Sequence, residues 1–363
     1  MTPSFRLLAR RNFLPLFVTQ FLNAFNDNLY KTAMVMLVTY QIYQDPTREA
    51  VFNAVAGGIF ILPFFLFSAL AGQLADWRDK SGIIRLVKSA EIGIMMIGGL
   101  GLFVHSIALM LVALFAMGMH STFFGPIKYA ILPQHLKSEE VLAGTGLVEA
   151  GTYIAILAGT ILAGWIDAPV SAGVCLAVAL VGYITGRQVP AAPPLHEPEK
   201  LDFNVFRASY NLVRNTMHDR RVFLAILAIS FFWTIGSVLF IQFPPLAKNV
   251  LHASKQVASL FLVIFSVGVA IGSMAISAML RGKVSARFAP ASVIAMGLFV
   301  TLFFVVCRVW TDGGATTLND MSDFIAQRYA VPLMLTLLGI AVCGGMFVVP
   351  LYAFLTTFVD KSQ

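Results

Sequence analysis

Five ionisable side chains fall inside stretches apolar enough to cross a bilayer: Asp27, Lys31, Glu91, Lys128 and Glu149. A charge in hydrocarbon is costly unless it is paired, hydrated or used on a substrate or ion. Function is therefore sought first at these positions. Asp27 and Lys31 stand four residues apart, on one helix face and within pairing reach. Asn23 and Asn26 flank them, so nearly two turns of that face are polar. Such a face suits the lining of a cavity, and a self-paired structural ion bridge is the plainer alternative. Lys128 follows Pro126, a residue that bends helices and frees carbonyls. It suits a phosphate or a gate against an acid; the alternative is a lysine that snorkels to the interface. Glu149 lies about 12 Å into its run at ~1.5 Å per residue, and Lys128 is its nearest partner by depth. That pair reads either as a bridge that breaks during transport or as a permanent tie. Glu91, one turn into its run and near Lys88, reads as structural. His105, His120 and His252 show no ligand spacing, and His120 is the one placed to line a cavity. Neither H-x-x-x-x-D nor H-E-x-x-H occurs, so no catalytic residue, metal site or cofactor is expected, and the chain does not read as an enzyme.

The elements that carry these residues follow from composition. The chain has 363 residues, 58% of them hydrophobic and 12% charged, with a mean hydropathy of +0.81. That charge is about half that of a soluble domain, so lipid must solvate the surface and helices must satisfy the backbone. The pI of about 9.4 does not indicate nucleic acid, because Lys and Arg sit in short loops between apolar runs. Cys175, Cys307 and Cys343 lie inside apolar runs and read as small packing residues. The first run lacks an A-x-A site and is a retained helix rather than a signal peptide.

About 20 apolar residues span the hydrocarbon core. Ten runs qualify: 13–43, 50–76, 86–105, 107–131, 141–166, 169–187, 222–247, 257–280, 289–310 and 331–359. A tight turn at His105-Ser106 separates the third from the fourth. With the N-terminus in the cytosol, eighteen loop Lys and Arg residues fall on the cytosolic side, Lys88 among them, against five on the other; this is the positive-inside bias. The expected organisation is a six-helix half (1–187), a linker (188–221) and a second half (222–363) with four helices. In the linker, Phe206, Tyr210, Val213 and Met217 recur at helical spacing among arginines. They read as an amphipathic helix on the anionic leaflet or, equally, as a solvated linker helix. A weak repeat relates the halves: Pro126-Ile127-Lys128-Tyr129-Ala130 returns as Pro350-Leu351-Tyr352-Ala353 without the lysine.

Four strings point to a family. Gly72-x-Leu74-Ala75-Asp76-x-Arg78 resembles the signature loop between helices two and three of the major facilitator superfamily. The strings Phe21-x-x-Ala24-Phe25-Asn26-Asp27-Asn28-x-x-Lys31 and Phe123-Phe124-Gly125-Pro126-x-Lys128-Tyr129, with Gly146-Leu147-Val148-Glu149-Ala150, resemble its lysophospholipid transporter branch. The resemblance implies an all-α polytopic facilitator fold of twelve helices, of which ten are visible, so two further spans are expected past residue 363. It also implies a transporter that moves lysophospholipid, lysophosphatidylethanolamine foremost, from the outer to the inner leaflet of the bacterial inner membrane for re-acylation. An acyltransferase/acyl-carrier-protein synthetase, fused or separate, is the implied partner besides membrane lipids. Asn23, Asn26, Asp27, Lys31, Lys128 and Glu149 would bind substrate, with the acid toward an ammonium and a lysine toward the phosphate. Gly72, Asp76 and Arg78 would lock the signature loop. A proton-driven drug or solute antiporter and a non-transporting scaffold are the competing readings.

Overall fold

In the computed structural model the backbone is described for residues 3–194, 204, 206–207, 210, 213–214, 219–280, 285–310 and 318–358. Ten helices of twenty or more residues run along these segments: α1 Leu14–Leu37, α2 Pro46–Trp77, α3 Lys80–Phe103, α4 Ile107–Ala130, α5 Ser138–Trp165, α6 Ala168–Arg187, α7 Arg220–Asn249, α8 Lys255–Leu280, α9 Ala289–Val309 and α10 Ala330–Phe358. Proline in the first turn opens α1, α6 and α9, where the missing N–H would have no partner anyway. Side chains of Asp79 and Asp219 cap α3 and α7. His105 turns the chain from α3 to α4 in the left-handed region, at φ 56°.

The protein is a multi-pass membrane protein, but the count of spans differs from expectation. Among the described residues, eight helices rather than ten are long and apolar enough to cross a membrane by length and composition. The two outside that count are α1, where the polar face from Gln20 through Lys31 dilutes the hydropathy, and α5, of which 150–165 is the apolar stretch among the described residues. Large apolar side chains such as Phe65, Leu86, Ile294 and Phe304 stand exposed along the helices, as lipid-facing positions require.

The chain divides into two compact units. One comprises Met1–Ile42 with Ala54–Leu212, the other Tyr43–Asn53 with Val213–Gln363. In the first unit α1 packs on α5 and α6, and α3 on α4 and α6. Gly159 allows the α1–α5 approach, because a Cβ there would meet the Phe25 carbonyl at 2.5 Å. Phe13, Leu16, Ile84, Ile127, Ile131 and Val148 fill one end of this unit.

In the second unit α10 packs on α7, α8 and α9. Phe243, Phe261, Phe265 and Phe324 interlock edge to face, which suits the ring quadrupole. The fully buried Glu49 carboxylate accepts from Lys248 Nζ and Asn249 Nδ2, both at 2.6 Å. Of the linker, Phe206, Arg207, Tyr210, Val213 and Arg214 are helical and exposed. Met217 and the basic pair Arg281 and Lys283 lie outside the described residues.

Candidate functional site

The polar face of α1 turns into the first unit and meets α3 and α4. Asp27 Oδ2 accepts from Ser121 Oγ on α4 at 2.5 Å and from Asn23 Nδ2 at 3.2 Å. Asn23 Oδ1 accepts from Lys88 Nζ on α3 at 3.3 Å. Lys88 contacts the Glu91 carboxylate one turn on. The other Glu91 oxygen accepts from Asn26 Nδ2 at 2.8 Å, and His120 Nε2 lies 3.5 Å from the first. Asn23, Asn26, Asp27, Lys88, Glu91, His120 and Ser121 are all buried.

Local sequence explains how these groups reach one another. Asn23, Asn26 and Asp27 occur at helical spacing, so one stripe of α1 carries all three. Lys88 lies across small residues of α6: a Cβ on Gly182 would sit 2.9 Å from Lys88 Cε, and one on Gly186 3.2 Å from Lys88 Cγ. Without those glycines the lysine stem has no room to run inward. Among the described residues, His120 Nδ1 and the Asn26 carbonyl oxygen are enclosed without a hydrogen-bond partner, so the cluster holds unused polar capacity.

The two buried acids are not equivalent. Glu91 has a lysine in contact, an amide donor and an imidazole beside it. Asp27 has two neutral donors, and no cation lies within 4 Å of it among the described residues. Lys31, within pairing reach of Asp27 by spacing, sets its ammonium 5.2 Å from the centroid of the Phe60 ring.

The remaining expected residues lie elsewhere. Lys128 is half-buried, its ammonium 4.9 Å from the Tyr129 ring centroid. The Glu149 side chain lies outside the described residues, so a Lys128–Glu149 pair is not among the described contacts. Gly72 is half-buried at the end of α2, and Asp76 and Arg78 are exposed, Arg78 lying over the Trp77 ring at 4.5 Å. The residue that ties this loop down is their neighbour Asp79. It accepts from the Ser81 N–H and hydroxyl and from the Ala192 N–H at 2.8 Å, while the Lys80 N–H donates to the Ala192 carbonyl. Partial burial pushes the Asp79 carboxyl up, but the Ala192 and Ser81 hydrogen bonds outweigh it and hold it below the ordinary aspartate range.

The reading of Glu91 as a structural residue near Lys88 agrees with the contact between them. Lys88 itself, counted among loop cations by its sequence position, is fully buried inside α3. His120, the histidine placed to line a cavity, lies beside Glu91 in the middle of the cluster. Nothing in the string marked Ser121.

Comparison with known proteins agrees with this architecture. Residues 16–363 match the family model described as the Major Facilitator Superfamily. A protein named lysophospholipid transporter LplT from Serratia proteamaculans (strain 568) is 27% identical over 360 residues, covering 96% of this chain and 80% of that protein. Its namesake from Yersinia pestis (strain Pestoides F) is 25% identical over 363 residues, covering 96% and 79%. Among solved structures, a bacterial homolog of the human lysosomal transporter Spinster, inward-facing and unoccupied, aligns with a TM-score of 0.67 at 14% identity. It covers 99% of this chain and 77% of that one. The nucleoside transporter NupG aligns at 0.66 with 13% identity, covering 96% and 84%.

Proposed function

The chain belongs to the Major Facilitator Superfamily, and from that premise we propose that it transports lysophospholipids across the bacterial inner membrane, from the outer to the inner leaflet, with its N-terminus in the cytosol. The full-length similarity to proteins named lysophospholipid transporters supports the substrate class. The loop bias of Lys and Arg supports the orientation.

Asp27 is the observation that carries the reading to chemistry. A buried carboxylate with only neutral donors is a site that a cation completes. The ammonium of an ethanolamine headgroup is such a cation, and it arrives with its own negative phosphate. Lys31 or Lys128 is suited to that phosphate. Glu91 is spent on Lys88 and Asn26 and acts as the brace that holds α1 against α3. The acyl chain needs no polar partner and stays against apolar helix faces. Asp76 and Arg78 are assigned to the signature loop and Asp79 to its anchoring, and re-acylation of the delivered lipid by an acyltransferase/acyl-carrier-protein synthetase completes the scheme.

The test is uptake of lysophosphatidylethanolamine by spheroplasts carrying the protein, compared with Asp27→Asn and Lys128→Ala at equal membrane abundance. Asp27→Asn keeps the hydrogen-bonding shape and removes the charge, so uptake falls at least about tenfold, as for one lost charge-assisted contact of ~1.5–3 kcal/mol. Normal uptake in both variants removes these residues from the site. No uptake by the intact protein removes the function. Uptake that collapses with a protonophore reassigns Asp27 to a proton-driven antiporter.

A further inference from the structure

The linker before α7 carries an apolar stripe that no part of the chain covers. Phe206, Arg207, Tyr210, Val213 and Arg214 are helical there. The Asn204 side chain accepts from the Arg207 N–H at 3.1 Å, as an N-cap does. Phe206, Tyr210 and Val213 are 75%, 65% and 50% exposed. None of them belongs to a membrane-spanning helix, since the segment falls between the end of α6 at Arg187 and the start of α7 at Arg220. Their exposure is therefore not that of a span facing lipid.

The helical period places these side chains. At 3.6 residues per turn Phe206, Tyr210 and Val213 fall within about 60° of one another, and Arg207 and Arg214 lie within about 20° of each other on one flank of that stripe. A solvated helix gains nothing from such an order. A helix lying in a membrane interface needs it: the apolar side chains enter the lipid, and arginines at the side reach phosphates while their stems stay against apolar surface.

Charge and reach name the surface. From Asn204 through His218 the sequence holds two arginines and no Asp or Glu. Among the described residues no carboxylate pairs with Arg207 or Arg214. The segment thus presents uncompensated positive charge, which anionic headgroups attract. Arg214 also precedes Arg220, the first residue of α7, by six residues. A chain of that length spans at most about 20 Å, so the helix stays within reach of the bilayer surface.

We propose that this linker helix docks on the anionic lipid surface of the cytosolic leaflet. Phe206, Tyr210 and Val213 enter below the headgroups, and Arg207 and Arg214 bind lipid phosphates. The attachment strengthens with the anionic content of the leaflet. Only the choice of leaflet rests on the orientation given above.

The experiment places the full chain in lipid discs of phosphatidylcholine, alone or mixed with phosphatidylglycerol. Oxidation of Phe206 and Tyr210 by hydroxyl radicals is followed by mass spectrometry, with Tyr153 on the apolar stretch of α5 as the control. Each arginine near an anionic surface favours attachment by about fivefold, and the two together by roughly 30-fold. Phe206 and Tyr210 therefore oxidise several-fold more slowly in the anionic discs, while Tyr153 keeps one rate in both. Salt at 1 M, which shortens the screening length to ~3 Å, returns both residues to their rate in phosphatidylcholine, and so does Arg207→Gln combined with Arg214→Gln. Equal rates in the two discs overturn the docking, whether fast as for a solvated helix or slow as for a helix covered by protein. Protection that survives both the salt and the arginine replacements overturns it as well. Should the double variant not reach the membrane, the salt titration of the unaltered protein decides. The discs carry the same lipids on both faces, so the result is independent of the side from which the linker emerges and of what the protein transports.

Discussion

Replacing Lys88 by Met separates two roles that a buried charge can play. Lys88 is fully buried, touches Glu91 and donates to Asn23 at 3.3 Å. Methionine fills the aliphatic stem that lies over Gly182 and Gly186, so the loss is electrostatic and not a cavity. It leaves the Glu91 carboxylate enclosed with one amide donor, Asn26 at 2.8 Å, and no lysine. Removing one partner of a buried pair costs roughly 3–5 kcal/mol, whereas replacing both by apolar groups of similar volume is often neutral. Lys88→Met alone should therefore cost about 3–5 kcal/mol. The double variant Lys88→Met with Glu91→Leu should recover part of that. It still strands the Asn26 amide and the Asn23 carbonyl oxygen, at about 1–3 kcal/mol for each unsatisfied group. The assay is reversible unfolding of purified protein in mixed micelles under increasing denaturing detergent, with membrane insertion checked first. A single variant within about 1 kcal/mol of the parent, or a double variant no more stable than the single, refutes the view that Lys88 exists to neutralise Glu91.

Two further predictions concern the frame around the site. Gly182→Ala puts a methyl group 2.9 Å from Lys88 Cε, so it should cost about 1–3 kcal/mol as overpacking, measured by the same unfolding titration; a neutral result means that the lysine stem is not wedged there. Asp79 has a folded pKa below its unfolded value of about 3.9. Its contribution is then fully present above that value and is lost as the pH falls through the folded value. The tie to Ala192 should hold unchanged from about pH 5 to 8 and loosen only below about pH 4, read from hydrogen exchange of the Ala192 amide, while Asp79→Ala exposes that amide at neutral pH and costs about 1 kcal/mol for the lost cap. Faster exchange of the parent protein between pH 5 and 7 would show that another group sets the tie.

Composition and period alone make the helices legible, because lipid leaves the backbone no other choice. The turn at His105-Ser106 is the clearest instance: two apolar runs separated by two residues leave room for nothing but a tight reversal, and α3 and α4 end and begin there. The polar stripe of α1 was legible for the same reason, since helical spacing is visible in a string. Partners on other helices were not. Lys88 stands close to a basic loop and reads as part of it; it turns inward because Gly182 and Gly186, nearly a hundred residues away, make a channel for its stem. Asp27 and Lys31 satisfy the spacing of an ion pair, yet Lys31 lies toward Phe60 and Asp27 toward Ser121. Spacing along one helix states which residues can meet, and the neighbouring helices decide which do.

The repeat sharpens what the two units contribute. In matched register Asn23, Asp27 and Lys31 of α1 become Trp233, Ser237 and Ile241 of α7. The scaffold is duplicated, but its ionic chemistry is not. Among the described residues the first unit buries Asp27, Lys88 and Glu91 in the middle of its helices, while the buried acid of the second unit, Glu49, sits in the first turn of α2 and is bound to Lys248 and Asn249. A substrate that carries one ammonium and one phosphate needs few ionic partners, because each further buried charge would have to be neutralised whenever the substrate is absent. On the proposed reading, one acid without a cation in contact serves recognition, with the Lys88–Glu91 pair bracing α1 beside it. The asymmetry then suits a transporter of amphipathic, charge-paired molecules and assigns the ionic part of recognition to α1.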